Sequence, residues 1–222
     1  MSKTVLIIGA GPGIGLATAR RFAREGFHIV MASRNLGRLQ TLVATLKAEG
    51  FSASGEQVDA SDPHDIARLV QGVGEDLQVL HYNSGVLHYD AQGNLQARPL
   101  EAESIDSLVT DTQINVVGAL AAIHAALPLL SNKPGASVLL TGGGFGVEPS
   151  GDFLTLSVGK AGLRATALGL FQPLQRRGIH IATVTVSRLV SPDSMQAVEV
   201  ADAFWGLHAQ PLDQWTAETI YR

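Results

Sequence analysis

A seven-residue run, GAGPGIG (residues 9–15), constrains this chain more than any other stretch. It follows the apolar, β-branched segment TVLIIG and precedes IGLATARRFAREG, whose apolar residues recur at helical spacing as far as Gly26. Strand, glycine turn and helix therefore follow one another without a gap. Gly9, Gly13 and Gly15 fall at the spacing G-x-x-x-G-x-G, and Gly11 adds a fourth glycine beside Pro12. A tight strand-to-helix turn needs backbone angles that glycine tolerates. Bare backbone also lets a phosphate approach, and a helix beginning near Gly13 and Ile14 offers free N–H groups and a positive dipole end. The run implies a dinucleotide pyrophosphate site.

The same alternation continues. HIVMAS reads as a second strand, RLQTLVATLKAEG as a helix closed by Gly50, and residues 54–58 as a third strand. Ser61 or Asp62 can cap a third helix with Pro63 in its first turn. VLHYNSG is a fourth strand, and residues 86–101 form a longer loop. Helical patterns cover 103–111 and 112–131, and ASVLLTGGG is a fifth strand. A long helix over 152–177 is expected to be interrupted or ended by Pro173. GIHIATVTVS, AVEVADAFWGLHAQ and WTAETIYR then read as strand, helix and last strand. This order predicts a single α/β domain over residues 1–222 with a mostly parallel sheet.

Composition sets outer limits. With 45% hydrophobic and only 16% charged residues, the chain has the material for one large buried core. A net charge of −4 without a run of Lys or Arg argues against a nucleic-acid surface. The absence of cysteine excludes disulfides and thiolate metal sites, and the seven histidines show no close ligand spacing, so no metal is expected. The short apolar run at the N-terminus does not read as a signal peptide, and no apolar stretch spans a bilayer without Gly, Pro or charge. A cytoplasmic protein without a membrane partner is expected.

The second strand ends in Ser33-Arg34-Asn35. An Asp or Glu there would favour a bare ribose, whereas Arg34 suits a 2′-phosphate, so NADP(H) is expected over NAD(H).

In several ordered motifs the chain resembles the short-chain dehydrogenase/reductase family. GAGPGIG resembles the family's glycine loop, with Ile8 where a threonine is usual. Asp59 and Ala60 resemble the segment lining the adenine, and Asn83, Ser84 and Gly85 resemble its Asn-Asn-Ala-Gly motif. INVVGALAAIHAALPLL resembles the helix of the tetrad asparagine, here Asn115, and SVGKAGLRA the helix of the catalytic lysine, Lys160. Val190 fits the valine near the nicotinamide amide, while Ser187, Arg188 and Pro192 depart from the usual Pro-Gly pattern. The resemblance implies a Rossmann-type, doubly wound parallel sheet of seven strands. It also implies a nicotinamide cofactor, a small-molecule substrate, and homodimers or homotetramers packed through the helices of Asn115 and Lys160.

It also implies a proton-donating tyrosine and a hydrogen-bonding serine, and both are missing. Leu156 stands four residues before Lys160 where the tyrosine belongs, and Gly143 falls on the serine position, with Gly142 before it. Gly146 matches the glycine after the family's serine pair. The resemblance leaves Lys160 to hold the ribose and Asn115 to position a relay water. His88 and Tyr89 are the candidate replacement acids. Tyr82 and His81 read as packing residues, His124 as an interface or core histidine, and Glu148 and Asp152 as capping or dipole partners of the long helix. Ser157 and Thr155 face away from Leu156, and Trp205 and Trp215 read as core aromatics. Two functions stay open: an oxidoreductase with an altered site acting on a small carbonyl, alcohol or activated alkene, or an inactive NADP(H)-binding sensor or subunit.

Overall fold

The computed structural model describes residues 3–90, 92 and 94–222. Seven parallel strands form one sheet: β1 (Thr4–Ile8), β2 (His28–Ser33), β3 (Ala53–Gln57), β4 (Leu77–Tyr82), β5 (Ala136–Gly143), β6 (Ile179–Val186) and β7 (Glu218–Tyr221). Their order is β3-β2-β1-β4-β5-β6-β7. The helices are α1 (Ile14–Arg24), α2 (Leu36–Ala48), α3 (Pro63–Val73), α4 (Ile105–Thr112), α5 (Gly118–Leu130), α6 (Leu154–Gln175) and α7 (Met195–His208).

Successive side chains of a strand point to opposite faces, and a sheet covered on both sides buries both sets. In β1, Val5 and Ile7 join Phe22, Leu39 and Phe204 of α1, α2 and α7. Leu6 and Ile8 join Ile66, Ile123 and Leu163 of α3, α5 and α6 on the other face. Each such side chain contributes roughly 1.5–3 kcal/mol by leaving water. The strand order reverses between β1 and β4, which opens a crevice beyond their C-terminal ends.

Several expectations need adjusting. The patterns at 103–111 and 112–131 belong to one continuous run, because α4 passes into α5 through a π-turn at Gln113–Val117. Pro173 does not end α6, which starts at Leu154 and continues to Gln175. Asp62 rather than Ser61 caps α3, accepting from the His64 amide at 2.8 Å. The run over 105–130 is long and apolar enough to cross a membrane, yet one side of it, with Ile114, Ala119, Ala122, Ile123 and Ala126, joins the core on one face of the sheet. Trp205 and Trp215 are half-buried rather than core, the first edge-on to Phe22 and the second stacked on His180.

Candidate functional site

The glycine loop divides into positions that fix the chain's path and positions that leave space. Gly9 has φ +88°, and the amides of Gly9 and Ala10 both donate to the Ala32 carbonyl at 2.9 Å. A Cβ on Gly9 would lie 2.4 Å from the Ser84 amide nitrogen, and one on Gly15 3.3 Å from Ala10 Cα. Gly11, by contrast, would meet nothing within 4 Å, and Gly13 only the Val190 carbonyl at 3.8 Å. Helix α1 begins at Ile14 with no side-chain cap; the Leu16 and Ala17 amides donate to the Gly11 and Gly13 carbonyls at 2.9 and 3.1 Å, which leaves the first two amides, of Ile14 and Gly15, to offer. Open space over Gly11 and Gly13 beside these amides fits a bound diphosphate.

At the second-strand end, Ser33 closes β2 and Arg34 is exposed just before α2. Asn35 is engaged in capping α2, where its oxygen accepts from the Arg38 amide at 2.9 Å. Asp59 accepts from the amide and hydroxyl of Ser61, which lowers its pKa, with Arg34 adding a smaller electrostatic contribution. Ala60 is buried below it.

Asn83 is a strut. Its Nδ2 donates to the Gly9 carbonyl at 2.9 Å, and its Oδ1 accepts from Thr141 Oγ1 at 2.8 Å. Because that hydroxyl donates to Asn83, it accepts from His81 Nε2 at 2.9 Å, which places the imidazole proton on Nε2. Burial, with the Lys160 charge added, pushes the His81 pKa down to about 3. His81 is a packing residue, as expected, tilted against Phe204.

A cleft of about 1050 Å³ runs from Gly11–Gly15 past Asn83 and Gly85 to Lys160, Leu156 and Val190. At its inner end Lys160 donates from Nζ to the Thr141 carbonyl at 2.7 Å. Burial lowers its pKa to about 8. A Cβ on Gly85 would lie 3.4 Å from Lys160 Nζ and 3.8 Å from Asn115 Oδ1, so the two residues converge there.

The π-turn explains the placement of Asn115. An inserted residue frees a backbone carbonyl from the helix ladder. Tyr82 meets it, its hydroxyl donating to the Ile114 carbonyl at 2.5 Å. Gly118 makes this possible, since a Cβ there would lie 2.4 Å from that hydroxyl. Tyr82 is fully buried, the packing residue with a satisfied hydroxyl that its strand position suggested. Asn115 Oδ1 then accepts from the Val86 amide at 2.9 Å, while its Nδ2 is buried with no hydrogen-bond partner among the described residues.

The missing hydroxyls are also legible in space. A Cβ on Gly143 would touch the Lys160 stem at 3.1–3.4 Å, whereas one on Gly142 would strike Thr183 Oγ1 at 2.6 Å. Gly143 is therefore the position facing the lysine. Gly146 is a close approach to the α6 backbone, since a Cβ there would lie 2.6 Å from the Lys160 carbonyl carbon. Leu156 lines the cleft on the same side.

Of the two candidate replacement acids, Tyr89 is an exposed wall residue of the cleft. His88 is turned away. Its Nε2 lies 3.0 Å from buried Asp111, and its Nδ1 2.9 Å from Arg98 Nη1. Arg98 Nη2 also lies 2.7 Å from Glu103. His88, Glu103 and Asp111 gather three potential ligand atoms within 4.8 Å, a grouping that sequence spacing does not reveal, and the Arg98 guanidinium supplies a cation there.

Glu148 and Asp152 do not cap α6, whose N-cap is Phe153 without a side-chain bond. Ser157 secures that end, donating to the Phe153 carbonyl at 2.9 Å and accepting from the Ser150 amide at 3.1 Å. Thr155 borders a small hollow beside His88. His124 is exposed on α5, not in the core. The apolar walls, Leu87, Leu95, Phe145, Val147, Leu189 and Ile220, come from separate loops and β7 and carry no sequence signal of their own.

A doubly wound α/β architecture is thus combined with a lysine at the inner end of one cleft and a buried asparagine behind it. Residues 3–199 match the family described as short chain dehydrogenase. The chain is 30% identical over 190 residues to a serine 3-dehydrogenase of Rhizobium radiobacter, covering 83% of this chain and 71% of that one. It is 30% identical over 193 residues to a very-long-chain 3-oxoacyl-CoA reductase of Neurospora crassa, covering 84% of this chain and about half, 55%, of the fungal protein. A short-chain dehydrogenase from Rhodopseudomonas palustris superposes with a TM-score of 0.86 at 25% identity, covering 99% and 98% of the two chains. A metagenomic short-chain oxidoreductase solved with NADP superposes at 0.84 with 19% identity, covering 99% and 96%, a likeness of fold. The chain belongs to the short-chain dehydrogenase family.

Proposed function

We propose that the protein is an NADP(H)-dependent oxidoreductase with an altered active site, acting on a small carbonyl, alcohol or activated alkene. The observation that carries this reading is a cleft that begins over the glycine loop and ends at Lys160, with the buried Asn115 Oδ1 converging on Lys160 Nζ behind Gly85. The diphosphate would rest on the amides of Gly11–Gly15, Arg34 would meet the 2′-phosphate, and Lys160 and Val190 would border the nicotinamide riboside. When bound, the cofactor supplies hydride exchange. Asn115 would position a relay water, and Lys160 would hold hydroxyls or move a proton through that water.

With Leu156 in place of a phenol, a carbonyl oxygen receives no strong acid from that helix. Losing such a group costs roughly 10²–10⁴ in rate. Conjugate reduction of an activated alkene asks less of an acid at that oxygen. The double loss at Leu156 and Gly143 favours a second reading, an inactive NADP(H)-binding sensor or subunit. Solved relatives bound to NADP support the cofactor. Exposed Val109, Val117, Leu120, Val158 and Leu168 support homodimers or homotetramers packed through the α4–α5 run and α6. We place the protein in the cytoplasm.

Fluorescence titration with NADPH and NADH tests the cofactor. NADPH is expected to bind more tightly, and Arg34→Gln to remove the difference. Cofactor oxidation with a panel of enones and aldehydes, lost in Lys160→Ala, separates enzyme from sensor. Binding without turnover would leave only the sensor.

A further inference from the structure

We propose that Arg188 forms an anion-binding subsite on the outer wall of the cleft, and that the substrate is an apolar molecule bearing a carboxylate. This rests on reading the cleft as the active site, and it adds the chemistry of what enters.

The charges of the cleft oppose those of the whole molecule. The chain carries a net −4 on its side chains, yet the side chains lining the cleft include Lys160, Arg188 and Arg222 against one acidic side chain, Glu148. A cleft of one sign with apolar walls focuses its field and draws in ligands of the other sign. Leu87, Leu95, Phe145, Val147, Leu156 and Ile220 supply those walls. They can take the hydrocarbon part of a ligand but offer nothing to a charge.

Arg188 is exposed at the cleft wall and is not neutralised. Its guanidinium carbon lies 5.6 Å from the centroid of the Tyr221 ring, and the Tyr221 hydroxyl is hydrogen-bonded to Glu199 on α7. The neighbouring Ser187 amide donates to the Tyr221 carbonyl at 2.8 Å, which pins the root of the segment to β7. Among the described residues no carboxylate pairs with Arg188, whereas Arg20, Arg21 and Arg164 each have one within 3 Å. A guanidinium beside an aromatic ring and without a carboxylate keeps its planar donor fork free for a two-pronged bond to a carboxylate.

The cofactor's own phosphates are the competing claimant. The same segment reaches the glycine loop through the Val190 carbonyl, near Gly13. Arg188 lies two residues back, at the β7 end beside Tyr221, so it serves the substrate side.

The test uses the full chain, with and without saturating NADPH, and two unreactive probes of equal length, octanoate and octanamide, titrated by calorimetry. Octanoate is expected to bind at least tenfold more tightly than octanamide. Arg188→Gln is expected to bring the two within twofold while leaving the NADPH Kd and the melting temperature unchanged, and Arg188→Lys to retain part of the preference. Equal affinities in the parent protein, no octanoate binding, or a preference that survives Arg188→Gln would overturn the proposal. So would a tenfold rise in the NADPH Kd in that variant with the preference intact, which would assign Arg188 to the cofactor. Octanoate preference in a protein that binds no NADPH would keep the subsite and remove the oxidoreductase reading, so the two fail separately.

Discussion

Replacing Leu156 with tyrosine and Gly143 with serine is expected to install efficient carbonyl reduction. Position 156 lies one helical turn before Lys160 and lines the cleft, so a phenol there enters space already open. A phenol titrates at about 10 in water, and an ammonium about 4–6 Å away draws it toward neutrality. At position 143 a new Cβ meets the Lys160 stem at 3.1–3.4 Å. That contact is relieved by a shift of a few tenths of an ångström in a flexible side chain. The serine hydroxyl then stands beside the lysine, where it can bond the same carbonyl oxygen as the phenol. A positioned acid contributes roughly 10²–10⁴ in rate, or about 3–5 kcal/mol of barrier. Activity is read as NADPH oxidation with an activated aldehyde, alongside NADPH affinity and melting temperature. An increase below tenfold, with both of those unchanged, would refute the reasoning.

Further outcomes concern the loop, the lysine and the buried histidines. Gly9→Ala places a Cβ 2.4 Å from the Ser84 amide at φ +88°, so it is expected to cost at least about 2 kcal/mol in urea unfolding and to abolish cofactor binding. Lys160→Met removes an ammonium whose pKa burial has lowered to about 8. It is expected to stabilise the cofactor-free protein by on the order of 1–3 kcal/mol while ending turnover. His81 and His208 have pKa values pushed down to about 3 and about 4, chiefly by burial. Their neutral forms are favoured in the fold, so their contribution is intact above about pH 6.5 and is lost as pH falls toward 4. Unfolding free energy is expected to drop by about 1.4 kcal/mol per pH unit for each histidine below pH 6, and His208→Gln to flatten that slope.

The framework is legible in the residues because its signals are local. TVLIIG before GAGPGIG, Gly26 and Gly50 as helix stops, and Asp62 with Pro63 each act within a few positions of themselves. The continuity of α4 and α5 was not legible, because the π-turn is stabilised by Tyr82, 32 residues from its partner Ile114. The same holds for His88, whose neighbours follow it by 10 and 23 residues and turn it from the cleft. Glu148 and Asp152 stand where capping residues would, yet α6 starts at Leu154 with Phe153 as an N-cap that makes no side-chain bond. The walls of the cleft were hidden for a related reason. Loops after different strands supply them, so no periodicity joins Leu87 to Phe145 or Leu189.

The widened turn around Asn115 carries one residue more than a regular helix of that length requires. A single-residue deletion within 113–117 would let α4 and α5 merge into ordinary winding and restore a full ladder of main-chain bonds. It would also rotate everything on the N-terminal side by about 100° relative to α5. The carboxamide that now meets the Val86 amide would lose its phase with the loop, and the Tyr82 hydroxyl its exposed carbonyl. The extra residue is thus a phase adjuster: the helix gives up regularity so that one buried carboxamide meets the loop after β4.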